Sequence, residues 1–164
     1  MINALLRDFE RPEYLHVLLN PLPVYGLGIA LFGLIAALLI GSRRGQIAAL
    51  LLVSVTAAAA WPVAEFGEDA YRRVLSMADA PGKAWLKTHA DRAQRLIYPF
   101  YALALIAAIA ILAPKKWPKT ARPLAIATLV LAVFSLGAGC YVAYAGGKIR
   151  HQEFRNTIPS STLK

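Results

Sequence analysis

The chain has 164 residues, of which 58% are hydrophobic and only 16% charged, and its mean hydropathy is +0.51. Soluble proteins carry about 25% charged residues, so a water-soluble fold is excluded for want of polar side chains to cover it. The net charge of +9 and pI near 10.0 would point to nucleic acid in a soluble protein. Here, with no zinc-finger spacing, long basic helix or aromatic-basic interleaving, anionic lipid headgroups are the expected counterpart and nucleic acid is not.

The N-terminal stretch "MINALLRDFERPEYLHV" does not read as a signal peptide, because Asp8, Glu10 and Glu13 interrupt it and no long apolar core follows a basic start. The first membrane helix is expected to act as its own insertion signal. A bilayer core of about 30 Å needs about 20 apolar residues in a helix. The first such run covers about 22–40, with Pro21 and Pro23 marking its start and Gly33, Ala37 and Gly41 recurring at every fourth position. The second covers about 46–66 and holds Pro62 near its end. The third covers about 96–113, with Pro99 near its start and Ala104 and Ala108 four apart. The fourth covers about 123–145 and contains Gly137, Gly139 and the single Cys140, which excludes an internal disulfide and every multi-cysteine metal motif. Small residues at helical spacing allow close backbone approach in lipid. They predict tight packing within one bundle, a homodimer face being the second reading.

The links alternate in length. "GSRRG" and "PKKWPKTAR" are short, so the helices that they join are antiparallel hairpins, whereas about thirty residues separate the second and third spans. The expectation is an all-α, integral membrane four-helix bundle over residues 1–164. Both termini lie on the same side (side A), with a long amphipathic loop between helices two and three, and the 65–95 and 147–164 segments form an extramembrane cap.

Side B, with the short links, carries Arg43, Arg44, Lys115, Lys116, Lys119 and Arg122 and no acid. Side A carries all 9 Asp and Glu residues, all 3 histidines and the other twelve Lys and Arg. The positive-inside rule counts Lys and Arg close to the helix ends. By density the rule places side B in the cytoplasm of a bacterial inner membrane and the termini in the periplasm, although the raw count favours side A.

Polar stripes climb out of the spans on side A. Glu65, Glu68, Asp69 and Arg72 share one helical face, as do His89, Arg92 and Arg95, while Tyr141, Tyr144, Lys148 and His151 continue span four. His16 stands just ahead of span one. If the stripes converge, imidazole and carboxylate form a ligand set for a transition metal, with Glu65, Glu68, His89, His151 and His16 as the candidate ligands. A haem at the side-A edge, using His89 and His151, is a second option, since no histidine lies deep enough for a haem buried mid-bilayer. Arg92, Arg95 and Arg150 repel a divalent metal unless paired, and suit an anion or lipid headgroup better. The plainest reading is a salt-bridge network tying the cap together. No nucleophile elbow, zincin motif or P-loop is present, and no catalytic residue is assigned.

The stretches "LNPLPVYGLGIAL", "WPVAEFGEDAY", "WLKTHADRAQR" and "AGGKIRH" resemble a bacterial family of four-helix inner-membrane proteins of unknown function, the domain of unknown function numbered twenty-two thirty-one. The similarity runs from about Asn20 to His151. It implies a His-Pro near span one, a Gly with acids after span two, a His before span three, and a Gly-Gly followed by a basic residue and His after span four. Asn20 and Tyr25 stand where that family tends to carry histidines. The resemblance implies no established activity. The expected function is a small non-enzymatic membrane protein, an accessory subunit or binding module of a larger membrane complex. The alternative is a small redox membrane protein with haem or copper at the His cluster.

Overall fold

The computed structural model describes residues 2–155, and among these it is helical with no strand. Eight α-helices follow in order: α1 Ile2–Phe9, α2 Pro12–Leu19, α3 Leu27–Ile40, α4 Arg43–Ala58, α5 Ala60–Met77, α6 Ala80–Leu96, α7 Tyr98–Leu112 and α8 Ala121–Arg150. The last seven join into four rods, Pro12–Ile40, Arg43–Met77, Ala80–Lys115 and Pro118–Arg150, each long and apolar enough to cross a membrane. The chain is thus an all-α, multi-pass membrane bundle.

Rods of 29 to 36 residues are roughly 45–55 Å long at 1.5 Å per residue. A hydrocarbon core takes about 30 Å, so each rod projects well beyond it. The surplus builds the cap on side A from α2, the end of α5, α6 and the last turns of α8. The stretch expected as a long loop is therefore almost all helix. Only Ala78 and Asp79 separate α5 from α6. Asp79 makes that tight turn workable, because its side chain accepts the Gly82 N–H at 2.9 Å and caps α6.

Prolines decide where the rods are interrupted. Pro62 has no N–H to offer the carbonyl of Ala58, and α4 gives way to α5 at Ala59. Pro99 does the same between α6 and α7 at Ile97. In the first rod Pro21 and Pro23 do not begin the helix. They lie inside it, where the backbone widens into a π-helical segment, Leu22–Gly26. All three irregularities lie toward side A.

The core is built from small and branched side chains: Leu27, Ala30, Val53, Ala57, Leu103, Ala107 and Ala132 toward side A, and Leu34, Ala49, Leu50 and Ala110 toward side B. Gly139 shows why small residues matter. A Cβ on it would lie 3.2 Å from both Phe100 Cζ and Val24 Cγ2, so a larger residue would force those side chains to give by a few tenths of an ångström. Outward-facing side chains are apolar as well. Phe32, Leu39, Leu105 and Val130 are each at least 64% exposed, a surface suited to lipid rather than water.

Most polar groups in the spans are satisfied locally, the exception being Ser135, whose buried Oγ has no hydrogen-bond partner among the described residues. Ser54 Oγ donates to the Ala104 carbonyl at 3.1 Å, and Thr56 and Thr128 donate to carbonyls one turn back. On side B, Arg43 donates to the Ala110 carbonyl at 3.0 Å and links the two hairpins. Gly41 adopts φ 74°, the left-handed conformation that ends α3, and Ser42 caps α4 by accepting from Gly45 N.

Candidate functional site

In the cap, α2 packs on α5 and α6 packs on α8. Between these pairs lies an open cavity of about 1290 Å³. His16, His89, Glu65, Glu68, Tyr71 and Arg150 are among the residues that line it.

The two histidines are held in the same way. His16 Nδ1 lies 2.7 Å from the Val63 carbonyl, and His89 Nδ1 lies 3.0 Å from the Val142 carbonyl. A carbonyl oxygen can only accept, so each Nδ1 carries a proton, and in the neutral ring Nε2 is the nitrogen with the lone pair. Each of those carbonyls lies four residues before a glycine, Gly67 on α5 and Gly146 on α8. The Cα–Cβ bond of a helical residue tilts toward the N-terminus, so a side chain at either position would cover the carbonyl. A Cβ on Gly67 would come within 2.8 Å of His16 Nδ1, and one on Gly146 within 3.1 Å of the His89 ring. The two glycines are therefore seats for the two rings. Seated there, the two imidazoles lie with ring centres 6.1 Å apart and planes at 85°.

The other expected residues are distributed differently. Glu65 and Glu68 line the cavity and are exposed to it. His151 does not join them. The helix does not stop at the Gly146–Gly147 pair, because α8 runs through it to Arg150 and His151 becomes the C-cap residue. There its Nδ1 lies 2.8 Å from Glu153 Oε1 and its ring stacks on Phe154, both in the open. The Glu153 carboxyl is held below its ordinary range, first by its own backbone hydrogen bond and then by His151. Among the described residues no three of His, Cys, Asp and Glu stand close enough to hold a metal ion. The five-residue ligand set is thus not gathered at one point.

Nor do the three arginines form one patch. Arg92 lies over the Tyr141 ring at 3.7 Å and donates to the Tyr141 carbonyl at 2.9 Å. Arg95 is exposed and outside the cavity lining. Only Arg150 lines the cavity, with a guanidinium nitrogen 3.9 Å from Met77 Sδ. The carboxylate of Glu13, also in the lining, pairs with Arg73 at 3.1 Å.

Two arrangements behind the cavity escaped the sequence reading. Lys148 is 4% exposed, its Nζ 4.5 Å above the Trp85 ring and 2.7 Å from Tyr144 Oη. Arg155 donates to the carbonyls of Lys148 and Ile149 and to Asp79 Oδ2 at 2.6 Å. That bond holds the Asp79 carboxyl below its ordinary value. Gly67 and Gly146 were the signal that could have located the ring seats, since a glycine inside a helix calls for a packing reason.

No family model matches the chain, and no curated protein or solved structure is similar to it.

Proposed function

We propose that this chain is a non-enzymatic binding module of the bacterial inner membrane, an accessory subunit that presents its side-A cavity to the periplasm and works within a larger membrane assembly. The observation that carries this reading is the cavity itself. A bundle whose spans are otherwise apolar opens at one membrane face into a space of about 1290 Å³ lined by two fixed imidazoles and by acids and bases of the projecting helices. Small-molecule pockets run to about 300–1,000 Å³, so a sizeable ligand fits. Glu65 and Glu68 are both exposed on an open groove, an arrangement that supports binding.

The test is native mass spectrometry of the full chain released from nanodiscs. A bound species is expected on the wild type and absent from Ala90→Trp, which fills the cavity from α6. A wild-type chain that flies empty from every preparation, native membranes included, would sink the proposal. A second reading, a small redox carrier with a metal or haem centre, is favoured by one observation, the pair of imidazoles that meet at 6.1 Å in the cavity.

A further inference from the structure

We propose that the cavity is a haem site in which His16 and His89 are the two protein ligands of one iron. The inference rests on the binding-module reading above and names the ligand of that module.

A metal-ligating histidine almost always donates its other ring N–H to a carboxylate or backbone carbonyl, which orients the ring and raises its basicity. Both histidines meet that condition independently, His16 through the Val63 carbonyl and His89 through the Val142 carbonyl. Neither hydrogen bond uses Nε2, which stays available as a ligand. Each support comes with its own glycine seat, Gly67 and Gly146, on two different helices. Two helices thus carry the same second layer around two rings that meet.

Metal–imidazole bonds are about 2.0–2.1 Å. Adding roughly 1 Å from each nitrogen to its ring centre puts two imidazoles on opposite sides of one metal about 6 Å apart, centre to centre. The observed spacing is 6.1 Å. Planes at 85° suit two ligands on opposite faces of a macrocycle, where each ring turns about its own metal–nitrogen bond.

The donor count separates a haem from a bare ion. Among the described residues no third His, Cys, Asp or Glu completes a metal shell. A bare transition metal would be left with two protein donors, whereas protein-held ions take four or more ligands. A tetrapyrrole brings four nitrogen donors of its own and asks the protein for axial ligands alone. The surroundings fit a flat, amphipathic guest. Ala64, Ala90 and Ala93 line the cavity without filling it, and Tyr71 and Leu86 add broader faces. The propionate tails need cations. Arg72 and Lys87 line the cavity, and neither has a carboxylate within ion-pair distance among the described residues.

The experiment uses the full chain in detergent, purified from haem-replete cells and then titrated with hemin. About one haem per chain and a six-coordinate, low-spin spectrum are expected. Changing a second-layer partner costs a metal site about 10–100-fold in affinity, so losing a ligand outright should cost at least tenfold. His16→Ala and His89→Ala should each bind hemin at least tenfold more weakly and give a five-coordinate, high-spin spectrum. Imidazole added to either variant should restore the low-spin form. His16→Gln and His89→Gln, which keep a polar group near the carbonyl, serve if an alanine variant does not stay monodisperse. A wild type that takes up no hemin overturns the inference, and so does a low-spin spectrum that survives both substitutions. Native mass spectrometry on the same samples separates the two levels. A bound mass of another class, with no hemin uptake, overturns the haem site and leaves the binding module standing. An empty cavity overturns both.

Discussion

Gly146 lies under the ring of His89, at a spacing where a single added carbon would stand 3.1 Å from both Cε1 and Nδ1. Its neighbour Gly147 has nothing within 4 Å of the corresponding position. The two residues are adjacent in one helix and differ only in what faces them, which makes them a matched pair. Gly147→Ala should stabilise the bundle by about 0.5–1 kcal/mol, the usual gain of alanine over glycine in a helix. Gly146→Ala should lose that gain and destabilise by about 1–3 kcal/mol through overpacking against His89. Thermal melting of both variants in one detergent checks this. Equal melting temperatures would refute the ring seat.

Lys148 and Trp85 should be energetically coupled. The ammonium is buried over the indole ring, where a desolvated cation–π contact is worth about 2 kcal/mol. A double-mutant cycle with Lys148→Met and Trp85→Leu should therefore return a coupling of about 1–2 kcal/mol. A coupling near zero would mean that the lysine is held by Tyr144 alone.

The turn between α5 and α6 should respond to acid. Asp79 titrates below its ordinary value because Arg155 donates to its carboxylate. A group with a depressed folded pKa lends stability above its unfolded pKa and loses it as pH falls through the folded one. The link to the tail should thus be constant from neutral pH to about pH 4 and fade below it. Asp79→Asn keeps an acceptor for the Gly82 cap but removes the charge. Melting curves of wild type and variant should differ at pH 7 and converge as the pH falls below the ordinary carboxylate range. Parallel curves at all pH values would count against the ion pair.

Side A should face the periplasm, as the dense basic residues of the short side-B links predict. With Cys140 replaced by alanine, a cysteine at Glu153 should react with a membrane-impermeant maleimide in spheroplasts with intact inner membranes. A cysteine at Lys116 should react only after lysis. The reverse pattern would invert the bundle and place the cavity in the cytoplasm.

The carbonyls of Val63 and Val142 were beyond the reach of sequence reasoning for a particular reason. Every helical residue has such a carbonyl, and only a ring arriving from another helix singles one out. His16 and His89 could be named as candidates from residue type, but their partnership could not, because it depends on how far α2 and α6 extend and how they are rotated. His151 failed as a candidate on a similar point. Gly146–Gly147 reads as a helix end by propensity, at a cost of about 1 kcal/mol per glycine. In the fold Lys148 is buried beyond the pair and Arg155 binds the carbonyls of Lys148 and Ile149. Those contacts outweigh the propensity, carry α8 on to Arg150 and turn His151 outward.

The sequence by itself determined the class of fold. Four apolar runs long enough for a bilayer, two links too short for anything but hairpins, and acids confined to one side are properties of the chain read in one dimension, and they follow from the bilayer's thickness and its exclusion of charge. Only the tertiary structure decided the site. Whether two side chains from different helices meet depends on helix rotation, on how far each rod projects past the membrane, and on where a missing Cβ lets a ring reach a backbone carbonyl.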